Sequence, residues 1–206
     1  CVRRPARRGV DRPRRLRPTE SPVPVGALRE PEPRLDVGDL DRERLAHVGV
    51  DDDALLDLAE TVREAASDAD LRVFTGVEAN IGEDGSVSVA DDVLAELDLV
   101  VASPHAALDG DGTDRLVAAV EHPSVDVLGH PTGRLINRRP GLDLDLDRLA
   151  AAAADSDTAL EINANPHRLD LRGEAVRVAV EAGATVVVDT DAHRPSELDY
   201  ARYGVH

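Results

Sequence analysis

Residues 184–193 end in side chains that can bind a metal ion or transfer a proton. A run of β-branched residues at 185–188 fits a strand buried on both faces, and it opens into DTDAH (189–193). Because they are two residues apart, Asp191 and His193 point to the same side of an extended backbone. The plainer interpretation of this single stretch is a polar turn after a core strand. The pattern occurs five times along the chain, however, and this recurrence favours a metal or catalytic site.

Four earlier predicted strands also end in polar side chains. These strands are predicted at residues 72–77, 98–102, 125–128 and 158–162, with helical patterns between them. The side chains that follow them are, in order, Glu78, His105, His130, and Asn163 with Asn165. The full set contains three imidazoles and two carboxylates, on Glu78, His105, His130, Asp191 and His193. Such a set suits Zn²⁺, Mn²⁺ or Fe²⁺ and is too rich in nitrogen for Mg²⁺ or Ca²⁺.

The alternation of strands and helices predicts an α/β fold. Successive strand–helix units imply right-handed crossovers and a parallel sheet. Sites in such sheets lie at the carboxyl ends of the strands. Candidate ligands from five strands favour a barrel, because an open sheet collects ligands mainly where its strand order reverses.

The excess of acidic residues indicates in which environment the protein works and which partners it repels. Asp and Glu number 41 against 24 basic residues, every one of them Arg, and the net charge is −17. So acidic a surface repels nucleic acid at low salt and suits a salt-rich cytoplasm, where the screening length falls to about 3 Å near 1 M. We therefore expect a cytoplasmic protein of a halophilic prokaryote. Cys1 is the only cysteine, which indicates a reducing compartment, and no apolar run reaches the roughly 18 residues of a membrane span.

The first 47 residues differ in character from the rest of the chain. Eight Arg and one acidic residue, Asp11, lie within residues 1–18, and no helical or strand period is visible. This composition predicts a disordered segment over residues 1–47, followed by one domain over residues 48–206. A basic arm that binds nucleic acid is the functional alternative. A third interpretation is GC-rich DNA read in a shifted frame, because the sign of the charge changes at this boundary.

Six motifs carry a family resemblance. They are GVEANI (76–81), ASPHAAL (102–108), LGHPTGRL (128–135), EINANPHRLDL (161–171), DTDAH (189–193) and LDYARYGV (198–205). In this order they resemble the polymerase-and-histidinol-phosphatase (PHP) domain, in the version attached at the C-terminus of prokaryotic family X DNA polymerases. The resemblance implies a distorted, TIM-like barrel of seven strands with a trinuclear Zn or Mn centre, which hydrolyses phosphoesters with metal-activated water. It also implies a substrate such as DNA 3′ ends and a polymerase domain in the parent protein.

The resemblance implies roles for particular residues. Glu78 would bridge two metals, and His105 and His130 would complete one of those two sites. Asp191 would belong to the other site, and His193 to the third. Four further residues would lie around the substrate phosphate, namely Arg134, Asn163, Asn165 and Arg168.

The sequence also departs from the family pattern. The family opens with a His-x-His pair and a further His, whereas residues 1–50 contain only His47. We therefore expect an incomplete barrel that lacks its first two strand units and binds fewer than three metals. Two alternatives to an active phosphoesterase remain open. One is a catalytically impaired remnant or structural module, and the other is a histidinol-phosphatase-like phosphomonoesterase.

Overall fold

A computed structural model of the protein describes residues 51–67 and 73–205, and the segment predicted to be disordered, residues 1–47, lies outside them. The strands are β1 Gly76–Asn80, β2 Leu99–Ser103, β3 Val127–Leu128, β4 Ala159–Asn163 and β5 Val186–Asp189. The helices are α1 Asp52–Ala66, α2 Asp91–Glu96, α3 Thr113–Val120, α4 Leu146–Ser156, α5 Gly173–Glu181 and α6 Ala201–Gly204, with a 3-10 helix at Pro195–Tyr200.

The five strands form one parallel sheet in the order β1-β2-β3-β4-β5. Each strand therefore pairs with the next strand along the chain, and the order never reverses. Sequential order of this kind belongs to the wall of a (β/α) barrel, whereas doubly wound sheets reverse at a switch point. The α/β class is confirmed, and the sheet is compatible with the distorted TIM-like barrel.

Helices α3, α4 and α5 pack as a layer on the sheet through apolar stripes of buried residues. Helices α3, α4 and α5 contact one another in chain order. The largest side chains with no exposed surface or almost none come from both layers, namely Leu94, Leu116, Leu128, Leu149 and Leu160. Small residues on facing stripes, such as Ala153 and Ala179, let the helices approach closely. None of the helices in the described ranges is long and apolar enough to cross a bilayer.

Strand β1 begins four residues later than its sequence predicts. Val73 and Phe74 resemble strand residues but are 36% and 47% exposed, and pairing starts only at Gly76. A Cβ at Gly76 would lie 2.5 Å from the Leu99 carbonyl oxygen, so this close approach requires glycine. As a consequence, Glu78 lies within the strand instead of after it.

The prediction that the last strand is buried on both faces is wrong. In β5, Val186 and Val187 are half-buried and Val188 is 42% exposed. The physical reason is position, because β5 is an edge of the sheet that the described residues form. The backbone after β5 is not extended either, since Asp191 has a φ of 48°.

Candidate metal centre

Three predicted ligands meet beside the sheet. Glu78 Oε1 lies 3.1 Å from His130 Nε2 and 3.5 Å from His105 Nε2. The two imidazole rings meet edge to face, with their centroids 5.0 Å apart. Glu78 comes from β1, and the two histidines come from the loops that follow β2 and β3. One ligand atom from each of the three side chains lies within 4.8 Å of the others.

Hydrogen bonds fix the orientation of His105. Its Nδ1 lies 2.7 Å from Asn80 Oδ1, and an amide oxygen can only accept, so Nδ1 carries the proton. The other ring nitrogen, Nε2, faces Glu78 and can bind a metal there once it has given up its proton. This arrangement is the one by which metal-binding histidines are usually oriented.

A buried arginine holds the loop that carries His105. Arg115, on α3, is 7% exposed and donates to the carbonyl oxygens of Ala106 at 3.0 Å and Ala107 at 2.9 Å. Ala107 has a positive φ of 48°, a conformation that the guanidinium helps to hold. The loop therefore presents His105 from a fixed backbone.

His130 is held from the opposite side. The ring is 2% exposed, and Gly129 before it packs so closely on β2 that a Cβ would lie 2.3 Å from Ser103 Oγ. The backbone N–H of His130 donates to the Glu161 carboxyl group. Nδ1 of the ring is buried and has no hydrogen-bond partner among the residues that the structure describes. Burying an imidazole in this way is costly for packing alone, which indicates a functional reason for it.

These contacts fit a divalent cation. Hydrogen bonds with His105 and His130 hold the pKa of Glu78 far below its usual range, so the carboxylate is ionised. One carboxylate and two imidazoles would supply three ligands to such a cation, the number that catalytic Zn²⁺ sites take from the protein. The donor set and the spacing of the three side chains are therefore compatible with a metal site.

The other two predicted ligands form a second group. His193 Nδ1 lies 3.7 Å from Asp191 Oδ1 and 2.9 Å from the Asp191 carbonyl oxygen. Asp191 Oδ2 accepts from Asn163 Nδ2 at 3.4 Å and lies 3.6 Å from Arg168 Nε. Four of the five predicted ligands follow the carboxyl ends of their strands, and Glu78 lies within β1. Only Glu78, His105 and His130 come within ligand distance of one another in the described parts of the chain.

The four residues predicted to surround a phosphate form two sets with different contacts. Asn163 and Arg168 contact Asp191, as described above. Arg134 instead donates to the carbonyl oxygens of Arg168, at 2.7 Å, and Leu169. Asn165 Oδ1 accepts from the backbone N–H of His167 at 3.0 Å. Arg134 and Asn165 therefore hold the loop after β4.

Sequence reasoning missed Glu161, which lies between the two groups. It is 3% exposed, and burial, followed by a hydrogen bond with Asp189, raises the pKa of Glu161 to about 10. A signal was present, because an acidic residue inside the apolar strand ALEIN (159–163) is rare without a partner. A neutral Glu161 links the loop of His130 to the end of β5.

Replacing Glu161 by Gln should flatten the pH dependence of stability. Between its ordinary pKa of 4.5 and the folded value of about 10, the folded chain keeps a proton that the unfolded chain releases. Stability of the wild type therefore falls as pH rises through this window, by up to about 1.4 kcal/mol per pH unit. Gln keeps the shape and cannot ionise. Denaturant unfolding at pH 5, 7 and 9 should show the smaller slope in Glu161→Gln, while exposed Glu181→Gln keeps the wild-type slope. Equal slopes in all three proteins would contradict a neutral Glu161.

The fold and the site define an α/β protein with a carboxylate–imidazole group on the carboxyl side of a parallel sheet. The chain is 43% identical over 158 residues to the DNA polymerase/3′-5′ exonuclease PolX of Bacillus subtilis (strain 168), covering 71% of this chain and 28% of that protein. It is 30% identical over 133 residues to a probable phosphatase of Shewanella sp. (strain ANA-3), covering 59% of this chain and 50% of the relative. A probable phosphatase of Caldanaerobacter subterraneus subsp. tengcongensis is 31% identical over 136 residues, covering 60% of this chain and 51% of the relative.

The chain resembles the PHP domain in its family X polymerase version, as its motifs predicted, and these similarities confirm that resemblance. No protein-family model matches the sequence. The chain spans between about a quarter and about half the length of these relatives.

Proposed function

We propose that the chain is a metal-dependent phosphoesterase that acts on phosphodiesters such as DNA 3′ ends. The observation that carries the proposal is the Glu78 carboxylate facing the Nε2 atoms of His105 and His130. Relatives named as a 3′-5′ exonuclease and as probable phosphatases support phosphoester hydrolysis as the type of chemistry. We also propose that a polymerase domain accompanies this chain in its parent protein, as the name of the Bacillus relative suggests.

Each residue of the site has a defined task in this proposal. Glu78, His105 and His130 would hold a Zn²⁺ or Mn²⁺ ion. When bound there, such a cation supplies an activated water and a Lewis acid for a phosphoryl oxygen. Arg168, which is half-buried beside Asp191, can neutralise a phosphate at the second group. Asn163 orients Asp191 through its amide N–H.

The full chain should bind about one metal and turn over slowly. A single group of three ligands cannot place two cations across one phosphoryl group, so we expect rates below about 1 per second, under the ordinary enzyme range. The experiment is metal analysis of the chain in high salt, together with hydrolysis of bis(p-nitrophenyl) phosphate in the presence of Mn²⁺ or Zn²⁺. Chelation should abolish the hydrolysis. Three tightly bound metals, or turnover at an ordinary rate, would contradict the expected impairment.

The same assay separates the alternatives. A phosphomonoesterase, which the probable phosphatases favour, would hydrolyse p-nitrophenyl phosphate faster than the diester. A structural module would bind the metal without hydrolysing either compound. Absence of metal-dependent hydrolysis with every substrate would reject the proposed function.

A further inference from the structure

The first part of the loop between β3 and α4 carries a net positive charge in a chain that is acidic overall. Residues 127–142 contain three Arg and no Asp or Glu, whereas Asp and Glu make up 41 of the 206 residues of the chain. These residues therefore have a positive net charge, whereas the chain as a whole is negatively charged. A surface of this kind attracts anions that the remainder of the protein repels.

Two of the three arginines in this loop hold its backbone. Arg139 donates through Nε and Nη2 to the Gly133 carbonyl oxygen, and Arg134 donates to the loop after β4. Backbone hydrogen bonds of 2.9 Å in both directions between Leu135 and Arg139 close a tight hairpin. The Ile136 N–H also donates to the His167 carbonyl oxygen at 2.8 Å. The hairpin is therefore fixed in place against its neighbouring loop.

The third arginine, Arg138, lies at the tip of this hairpin. It is exposed, and its guanidinium has no hydrogen bond or ion pair within residues 51–67 and 73–205. Its guanidinium is therefore available to an anionic ligand. Because the backbone beneath it is fixed, Arg138 can bind an anion without ordering the loop.

A cleft of about 430 Å³ joins this arginine to the second group of predicted ligands, Asp191 with His193. Arg138, Ile136 and His167 line one part of it, and Asp191 and His193 line another. Ile136 is 39% exposed and adds an apolar side chain to the same cleft as the guanidinium. An anionic group next to an apolar ring is the ligand chemistry that such a cleft matches, and a nucleotide has both parts.

We propose that this cleft is a subsite for the nucleotide next to the scissile phosphodiester, with its phosphate on Arg138 and its base on Ile136. The inference rests on the proposed function, because it takes the second group, Asp191 with His193, as the neighbouring end of the reaction site. In this proposal Arg138 determines specificity, because it favours binding of a nucleic-acid strand over binding of a small phosphate ester.

Binding of a labelled single-stranded oligothymidylate to the full chain tests the subsite without turnover. With a chelator present, fluorescence anisotropy should show about tenfold weaker binding for Arg138→Gln, and a salt slope smaller by about 0.7 for the lost phosphate contact. Ile136→Ser should weaken binding about fivefold through lost apolar contact. Arg177→Gln, an exposed change of equal charge on α5, is the matched control and should bind like the wild type.

Hydrolysis of bis(p-nitrophenyl) phosphate distinguishes failure of the subsite from failure of the proposed function. This compound has no second phosphate, so Arg138→Gln should hydrolyse it within twofold of the wild-type rate. If the wild type did not hydrolyse the compound at all, the proposed function would be rejected. The binding measurement would still show whether the cleft binds an oligonucleotide. Equal weakening in Arg138→Gln and Arg177→Gln, or no detectable binding by the wild type, would overturn the subsite.

Discussion

Replacing His130 by Ala should weaken Mn²⁺ or Zn²⁺ binding by at least about 100-fold, because it removes one of three ligands from a site that has no spare one. The imidazole is almost fully buried, and its Nε2 lies 3.1 Å from the Glu78 carboxylate. No other imidazole of the described residues joins this group within ligand distance. Calorimetric titration of the metal-free chain with Mn²⁺ in high salt gives the affinity directly.

The control for this substitution is His122→Ala. His122 precedes β3, at the amino side of the sheet, where it contacts Asp91 at 3.2 Å. Its removal should leave the metal affinity unchanged. Since His130→Ala also opens a buried cavity, the isosteric Glu78→Gln provides a second loss of one ligand charge without a change of volume. Wild-type affinity in both His130→Ala and Glu78→Gln would exclude the three-residue site.

Replacing Asn80 by Ala should weaken the same binding by about 10- to 100-fold, although Asn80 is not itself a proposed ligand. Its side-chain oxygen accepts the Nδ1 proton of His105 at 2.7 Å. Without this acceptor, the ring can rotate or carry its proton on Nε2, and the nitrogen that faces Glu78 is then lost as a donor to metal. The measurement is the same calorimetric titration, with thermal unfolding to verify that the chain is folded.

Asn80→Asp separates orientation of the ring from simple packing. Aspartate keeps an acceptor oxygen at the same position and makes the imidazole more basic, so the variant should bind metal at least as tightly as the wild type. If Asn80→Ala and Asn80→Asp lost affinity equally, the hydrogen bond to His105 would have no part in metal binding.

The strand ends could be predicted because they follow simple rules of sequence. Apolar runs followed by Pro or Gly marked where β2 and β3 end, and parallel pairing then brings His105 and His130 to one side of the sheet. The helical patterns between the predicted strands correspond to helices α2, α3, α4 and α5 of the structure. These features depend on local composition and on one topological rule, so a single sequence is enough to predict them.

Contacts between distant residues could not be predicted in this way. Arg115 looks like an ordinary polar position of α3, and nothing nearby in the sequence indicates that it reaches the carbonyls of Ala106 and Ala107. The division of the ligands into two groups depends on the turn at Asp191, whose positive φ no residue pattern announced. Burial of Glu161 is likewise a tertiary property, because strands on both sides enclose it.

Three arginines, here called clamps, each hold a loop through paired hydrogen bonds to backbone carbonyl oxygens, and these contacts determine which substitutions the chain can tolerate. Arg115 spans two neighbouring carbonyl oxygens, Arg134 does the same for Arg168 and Leu169, and Arg139 places two nitrogens on Gly133. Lysine carries the same charge but has a single ammonium group and no planar fork, so it cannot reproduce these paired contacts. An exchange of Arg for Lys is therefore conservative at an exposed position such as Arg177 and disruptive at the three clamps. The chain contains no lysine at all. Its exclusive use of arginine therefore includes three positions at which lysine could not make the same contacts.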